Sequence, residues 1–262
     1  MTSHYFHFTL GPVQSFVGQA RRTRDLWAGS FLLSWLVAVA IKATEKQGGN
    51  IQFPLPDEEF LAYIEGGKQN GEPPRFGNIP NRFKAEVPNH FEPTQVVDSV
   101  KVAWQGLADL VWKHDLDKLV DKNSPTYALW QQQVVSFWEI NWVLTPDSQE
   151  SNGLDRRKNL RNHLPPEQSG FPCAIMGGWQ ELSTAEGLAQ RATQREFWEK
   201  IREHTYPKYD FSEKNEYLCA MAFIKRRFAH HFHKLHIPMP NNWQLTGWKL
   251  EPHVLTLPQS TG

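Results

Sequence analysis

Sixteen consecutive residues, Leu26 to Ile41, are apolar apart from Gly29, Ser30 and Ser34. Such a run must be buried, because apolar surface left in water forfeits about 25 cal/mol per Å². Basic residues precede it, and Ala38-Val39-Ala40 mimics a signal cleavage site. The run is short for a membrane span, which takes about 20 apolar residues. Before it, Phe6, Phe8 and Leu10 alternate with Tyr5, His7 and Thr9, the period of a half-buried strand. The expectation is a core helix packed on a sheet, with no membrane partner.

Between strand and helix, Gly11 can take turn dihedrals without steric cost, and Pro12 suits a first helical position. A helix starting there offers the N–H groups of Val13, Gln14 and Ser15 to an anion such as a phosphate. Gln14 or Ser15 can add side-chain contacts. Arg21, Arg22 and Arg24 follow within three turns, and guanidinium matches phosphate in shape. The plainer alternative is that Gly-Pro starts a helix and the arginines face solvent or a partner. Ser30 and Ser34, one turn apart, are placed either to contact an adenine edge or to back-bond within the helix.

GPVQSF (Gly11 to Phe16), ARRTRDLWAGS (Ala20 to Ser30) with LLS after it, PNRF (Pro80 to Phe83) and LCAMAFIKR (Leu218 to Arg226) occur in this order. Together they resemble the large subunit of the type III-B CRISPR effector, the Cmr complex, over almost the whole chain. The resemblance implies a palm domain akin to nucleotide cyclases and polymerases, with ATP bound between two palms. It also implies that target-RNA recognition by the guide RNA switches on cyclic oligoadenylate synthesis, with Mg²⁺ at the second palm. Partners would be the other effector subunits, with guide and target RNA reached indirectly through the complex.

The pattern along the chain agrees with a palm. After the first helix, Gly48-Gly49 ends the apolar run, and Asn50 to Phe53 reads as a strand closed by Pro54. Residues 65 to 80 read as a loop, and Arg82 to Val87 as a third strand. Apolar residues recur at helical spacing from Gln95 to Leu119 and from Tyr127 to Val135. Ile140, Trp142 and Leu144 mark a fourth strand. This βαββαβ order is the ferredoxin-like, α+β arrangement, expected over residues 1 to 146. A small, mainly helical domain follows over residues 147 to 240, with helices at Ala185 to Glu203 and Asn215 to Leu235. Residues 241 to 262 read as a tail without a closing element, the form of a fragment that stops short of a second palm.

The chain holds 28 basic and 28 acidic residues, which argues against gripping nucleic acid through bulk positive charge. Three local clusters stand out: Arg21, Arg22 and Arg24; Arg156, Arg157, Lys158 and Arg161; and Lys225, Arg226 and Arg227. Each reads either as a basic patch or as a solvated helix face. Eleven tryptophans promise large buried contacts or a subunit interface. Two cysteines, Cys173 and Cys219, point to a reducing, cytoplasmic setting.

Members of the resembled family often carry two C-x-x-C pairs that form a structural zinc site. Here the pairs fall on Cys173 and Met176 and on Cys219 and Ala222, so half the ligands are gone. Zinc wants four donors, and the expectation is a metal-free region packed with apolar groups. His230, His231, His233 and His236 read more readily as a basic helix end than as a metal site. No Gly-Gly-Asp-Asp string and no acid at Thr9 or Leu10 supply the carboxylates that palm chemistry needs. His114-Asp115 reads as accidental amphipathic surface. The chain is therefore expected to have no turnover alone, to form one wall of an ATP site through Gly11, Val13, Gln14, Ser15, Arg21, Arg22, Ser30 and Ser34, and to contact neighbouring subunits. The alternative is a purely structural interaction subunit that binds no nucleotide.

Overall fold

The computed structural model describes residues 4–67, 71–146, 153–154, 166–212 and 214–251. The cluster at Arg156, Arg157, Lys158 and Arg161 lies outside the described residues, as does the chain beyond residue 251.

Four strands form an antiparallel sheet: β1 (His4–Gly11), β2 (Asn50–Phe53), β3 (Arg82–Val87) and β4 (Glu139–Thr145), in the order β2-β3-β1-β4. All four match the strands legible in the sequence. Register sets the faces. Phe6, Phe8 and Leu10 pair with Ala85, Phe83 and the Asn81 carbonyl on one side and with Leu144, Trp142 and Ile140 on the other. Because side chains alternate across a strand, this apolar set shares one face, and Phe6, Phe8 and Leu10 are wholly buried.

Over that face lie α1 (Thr23–Glu45) and α3 (Pro93–Asp115). The apolar run of α1 is 83% buried within the fold, which makes it a core helix. Its end is set by Gly48 at φ +83°, with the N–H groups of Gly48 and Gly49 returning to the carbonyls of Glu45 and Thr44. Pro93 opens α3, and Ser124 caps α4 (Pro125–Ser136) by accepting from the Tyr127 N–H.

Two further helices, α5 (Arg191–His204) and α6 (Ala220–His231), complete the helical layer. Both are shorter than their sequence patterns, because Gly187 at φ +69° turns the chain before α5 and Cys219, with extended dihedrals, is the N-cap at which α6 starts. Helix α6 packs on α1 and α3, and one hydrophobic cluster runs continuously from Phe6 to Leu250.

Two elements depart from the sequence reading. The segment before residue 65 contains α2 (Glu58–Ile64), capped by Asp57, which accepts from the Phe60 N–H at 3.0 Å. The start of the expected tail, residues 241 to 262, is not structureless: β6 (Trp243–Thr246) lies there and pairs in a hairpin with β5 (His236–Met239), at the end of the stretch expected to be mainly helical. Pro238 suits an isolated two-stranded ribbon, where ladder bonds are few. Asn241 and Asn242 take φ of 63° and 58° at the turn, a region that Asn tolerates. Trp248 then closes the end of the molecule against Phe31, Phe60 and Phe232 at 5.8, 5.5 and 5.0 Å between ring centroids.

Candidate functional site

The segment after β1 does not run straight into the long helix. Gly11 ends β1 opposite Glu139. Gln14–Gly18 then makes a single π-helical turn, and α1 starts only at Thr23. The expected helix start at Pro12 is therefore a five-residue turn. Two contacts explain the break. Phe16 is wholly buried against Phe137 and Trp138, at 5.3 and 4.7 Å between centroids. The buried Lys225 ammonium, from α6, donates to the carbonyls of Phe16 and Gln19 at 2.6 and 2.8 Å. Those carbonyls are diverted from a helical ladder, so the chain leaves the turn and restarts. Gly29 lets the turn lie on α1, since a Cβ there would stand 3.0 Å from Val17 Cα.

Val13, Gln14 and Ser15 stand at the head of this turn, where N–H groups have no intrahelical acceptor. Beside it lies a cavity of about 230 Å³, bordered by Pro12, Ser15, Gln19, Glu139 and Trp179. Arg21 is exposed. Arg22 instead donates to the Tyr209 carbonyl at 2.6 Å, to Ser212 Oγ at 3.1 Å and to Glu216 at 3.3 Å. Arg24 pairs with Asp210 and lies 5.0 Å from the Tyr209 ring centroid. Ser30 is half-buried. Ser34 takes a use that neither alternative anticipated: its hydroxyl donates to the Ile79 carbonyl at 3.0 Å and accepts from the Ile79 N–H at 3.2 Å. The structure thus gathers Gly11, Val13, Gln14 and Ser15, and it commits Arg22 and Ser34 to internal contacts.

The Lys225, Arg226 and Arg227 cluster is buried, which corrects the patch-or-solvated-face reading. Arg226 holds Asp25 at 2.8 Å and Glu216 at 2.5 Å. Arg227 holds Asp115 and Asp210. His230 Nε2 lies 2.8 Å from Asp210 and His231 Nε2 3.0 Å from Asp115, so these two histidines are tied to carboxylates. Asp115 is no accident of the surface. Burial pushes its carboxyl up, yet the His231 and Arg227 hydrogen bonds outweigh that and hold it below its ordinary value. The same balance, with His230, Arg24 and Arg227, holds Asp210 down. Charges of this kind tolerate burial because each is paired and hydrogen-bonded. No local pattern announces them, since partners such as Arg227 and Asp115 are 112 positions apart.

Cys173 and Cys219 are both buried free thiols, and Met176 and Ala222, which follow each of them by three residues, are buried as well. These residues do not fit zinc. Two sulfur donors face a neutral thioether and a methyl group where a tetrahedral ion needs four ligands. Among the described residues no three His, Cys, Asp or Glu side chains converge to hold a metal.

Comparison with known proteins places this geometry. Residues 5–112 match the family model for the N-terminal region of the CRISPR-associated protein Cmr2. No curated protein sequence matches. The fold is similar to that of a chain in the cryo-EM structure of type III-B Cmr-beta in the apo state, with a TM-score of 0.55 and 15% identity over 86% of this chain. It is also similar to a chain of type III-B Cmr-beta bound to cognate target RNA, with a TM-score of 0.55 and 16% identity. This chain spans 31% and 32% of those two chains. The matched segment and the shared fold agree that residues 5–112 of this chain are similar to the N-terminal region of Cmr2.

Proposed function

We propose that the chain acts as the non-catalytic N-terminal region of the large subunit of an RNA-guided, RNA-targeting type III-B complex in the cytoplasm. The observation that carries this reading is the Cmr2 match over residues 5–112, the segment that builds three of the four sheet strands and the two long helices. The sheet order β2-β3-β1-β4, with α1 joining β1 to β2 and α3 and α4 joining β3 to β4, supports reading residues 1 to 146 as a ferredoxin-like palm. Residues 147 to 240 would be the adjoining helical domain.

Within that reading, the head of the π turn forms one wall of an ATP site completed by a second palm, which would bring the Mg²⁺. Gly11, Val13, Gln14 and Ser15 approach the phosphates through backbone and hydroxyl groups, and exposed Arg21 supplies charge. Ser30 stays with this wall. Arg22 and Ser34 shape it from behind, through Tyr209 and Ile79.

The test is binding of a non-hydrolysable ATP analogue to the full-length large subunit. Arg21→Glu should weaken binding about tenfold, the value of one charge-assisted hydrogen bond of roughly 1.5 kcal/mol. Arg22→Glu should chiefly lower the melting temperature. A second reading, a purely structural interaction subunit, is favoured by the internal commitment of Arg22, Arg24 and Ser34. Unchanged analogue affinity in Arg21→Glu and in Ser15→Ala would establish that reading instead.

A further inference from the structure

Two exposed rings stand three positions apart, and a cation lies over each. Tyr206 is 69% exposed and Tyr209 45%. The Lys208 ammonium lies 4.3 Å from the Tyr206 ring centroid, and the Arg24 guanidinium 5.0 Å from that of Tyr209. Ring surface left in water contributes nothing to the core. A ring with a fixed cation beside it can instead stack on an unpaired base while the charge meets the phosphate. We infer that Tyr206 and Tyr209 form a stacking site for an unpaired strand of nucleic acid, with Lys208 as its phosphate contact.

The platform is set before any strand arrives. Between the rings starts a single 3₁₀ turn, Lys208–Phe211, pinned by the buried Asp210 and Phe211. The Tyr209 carbonyl accepts from Arg22 at 2.6 Å and from Arg24 at 3.2 Å. Lys208 Nζ donates to the Arg202 and Glu203 carbonyls, each at 2.7 Å. Those bonds hold its position without cancelling its charge, because a carbonyl is neutral. Fixing these groups in advance removes an ordering cost that binding would otherwise meet.

Spacing and charge select the ligand. Three residues span at most about 10 Å, and a stacked strand advances about 3.4 Å per nucleotide, so bases of one short strand can reach both rings. A duplex hides its base faces within the stack and cannot use them. Glu216 and Asp210, the carboxylates that Arg22 and Arg24 also hold, are buried. Lys208 is exposed, and so is Glu203 at the end of α5. So small a net charge leaves stacking to supply most of the affinity, in keeping with a chain of balanced charge. The rings take unpaired bases of either sugar; the choice of RNA rests on the RNA-guided reading.

The experiment measures the fluorescence anisotropy of a labelled ten-uridine RNA titrated with the whole chain at about 50 mM salt. A ten-thymidine DNA strand and a ten-base-pair RNA duplex serve as comparisons. The RNA strand should bind at least tenfold more tightly than the duplex, a comparison that needs no variant to fold. Tyr206→Ala and Tyr209→Ala should each weaken binding at least about fivefold, the lower end for loss of one stacked base. Tyr206→Phe combined with Tyr209→Phe should stay within about twofold of wild type, because the π faces are kept. Lys208→Gln should flatten the salt dependence by about 0.7 in the log–log slope, the value of one phosphate contact. Tighter binding of the RNA strand than of the DNA strand supports the RNA-guided reading as well. Equal or tighter binding of the DNA strand keeps the stacking site and counts against that reading. No binding of either strand, a duplex bound as tightly as a single strand, or both alanine variants within about twofold of wild type would each overturn the inference.

Discussion

Arg227 in α6 grips Asp115 at the C-terminal end of α3 with two parallel bonds, Nε to Oδ2 and Nη2 to Oδ1, each 2.9 Å long. The bidentate fit fixes the angle at which α6 meets α3, and His231 adds a third contact to the same carboxylate at 3.0 Å. The network reaches through Asp210 to Arg24 and through Glu216 to Arg22. It therefore ties the N-terminal turn of α1 to α6.

Asp115→Ala leaves the Arg227 charge buried with only Asp210 to hold it. The expected loss is about 3–5 kcal/mol, read from urea denaturation at pH 7. Asp115 and Asp210 are both held below their ordinary values in the folded chain. Their contribution is thus complete above the unfolded carboxylate pKa of about 4 and vanishes as pH falls through the folded values. Between pH 5 and pH 2, the wild type should lose stability more steeply than Asp115→Asn. Parallel curves would contradict the pairing.

Lys225 gives a signature of the same sign in the alkaline range. Burial lowers its ammonium to about 8, while the unfolded chain keeps a value near 10.4. The cost of the buried charge is complete below pH 8 and fades as pH rises toward the unfolded value. Relative to Lys225→Met, the wild type should gain about 3 kcal/mol across that interval, at about 1.4 kcal/mol for each pH unit. Matched denaturation series from pH 7 to pH 10.5 measure it.

Gly29→Ala should separate the π turn from α1. Its new methyl would meet Val17 Cα at 3.0 Å and the Phe16 carbonyl at 3.2 Å, and backbone cannot give way cheaply. Overpacking of this kind costs about 1–3 kcal/mol. Thermal melting checks the loss, and exchange of the amide protons of residues 14–18 should rise with it.

Trp248→Ala empties the aromatic cluster of Phe31, Phe60 and Phe232. A loss of about 3–5 kcal/mol is expected for so large a truncation, measured by denaturant unfolding. Limited proteolysis should then cut first within residues 236–251, because the hairpin loses its anchor.

A buried carboxylate at Glu181 shows the same rule without a cation. It accepts from the Ser183 N–H at 2.8 Å, from Ser183 Oγ, from Gln194 Nε2 at 3.2 Å and from Trp198 Nε1 at 2.6 Å. Glu181→Leu should strand these donors and cost about 2–4 kcal/mol, with a shift in the Trp198 fluorescence maximum.

The strands, the core helix and the break at Gly48 were legible because each is a local pattern. Alternation places Phe6, Phe8 and Leu10 on one face, and Leu26 to Ile41 can be satisfied only by burial. Motif order along the chain was likewise enough to find the family. What the sequence alone misjudged was decided by contacts between distant residues. Lys225 ends the π turn by taking the Phe16 and Gln19 carbonyls, 209 and 206 positions away. Ser34 was spent on Ile79 by the fold of the loop after α2. Arg226 and Arg227 look like solvated surface because charge has no periodicity that reveals a partner. A buried ion pair exists only where packing brings both ends together and excludes water, and tertiary structure alone supplies that.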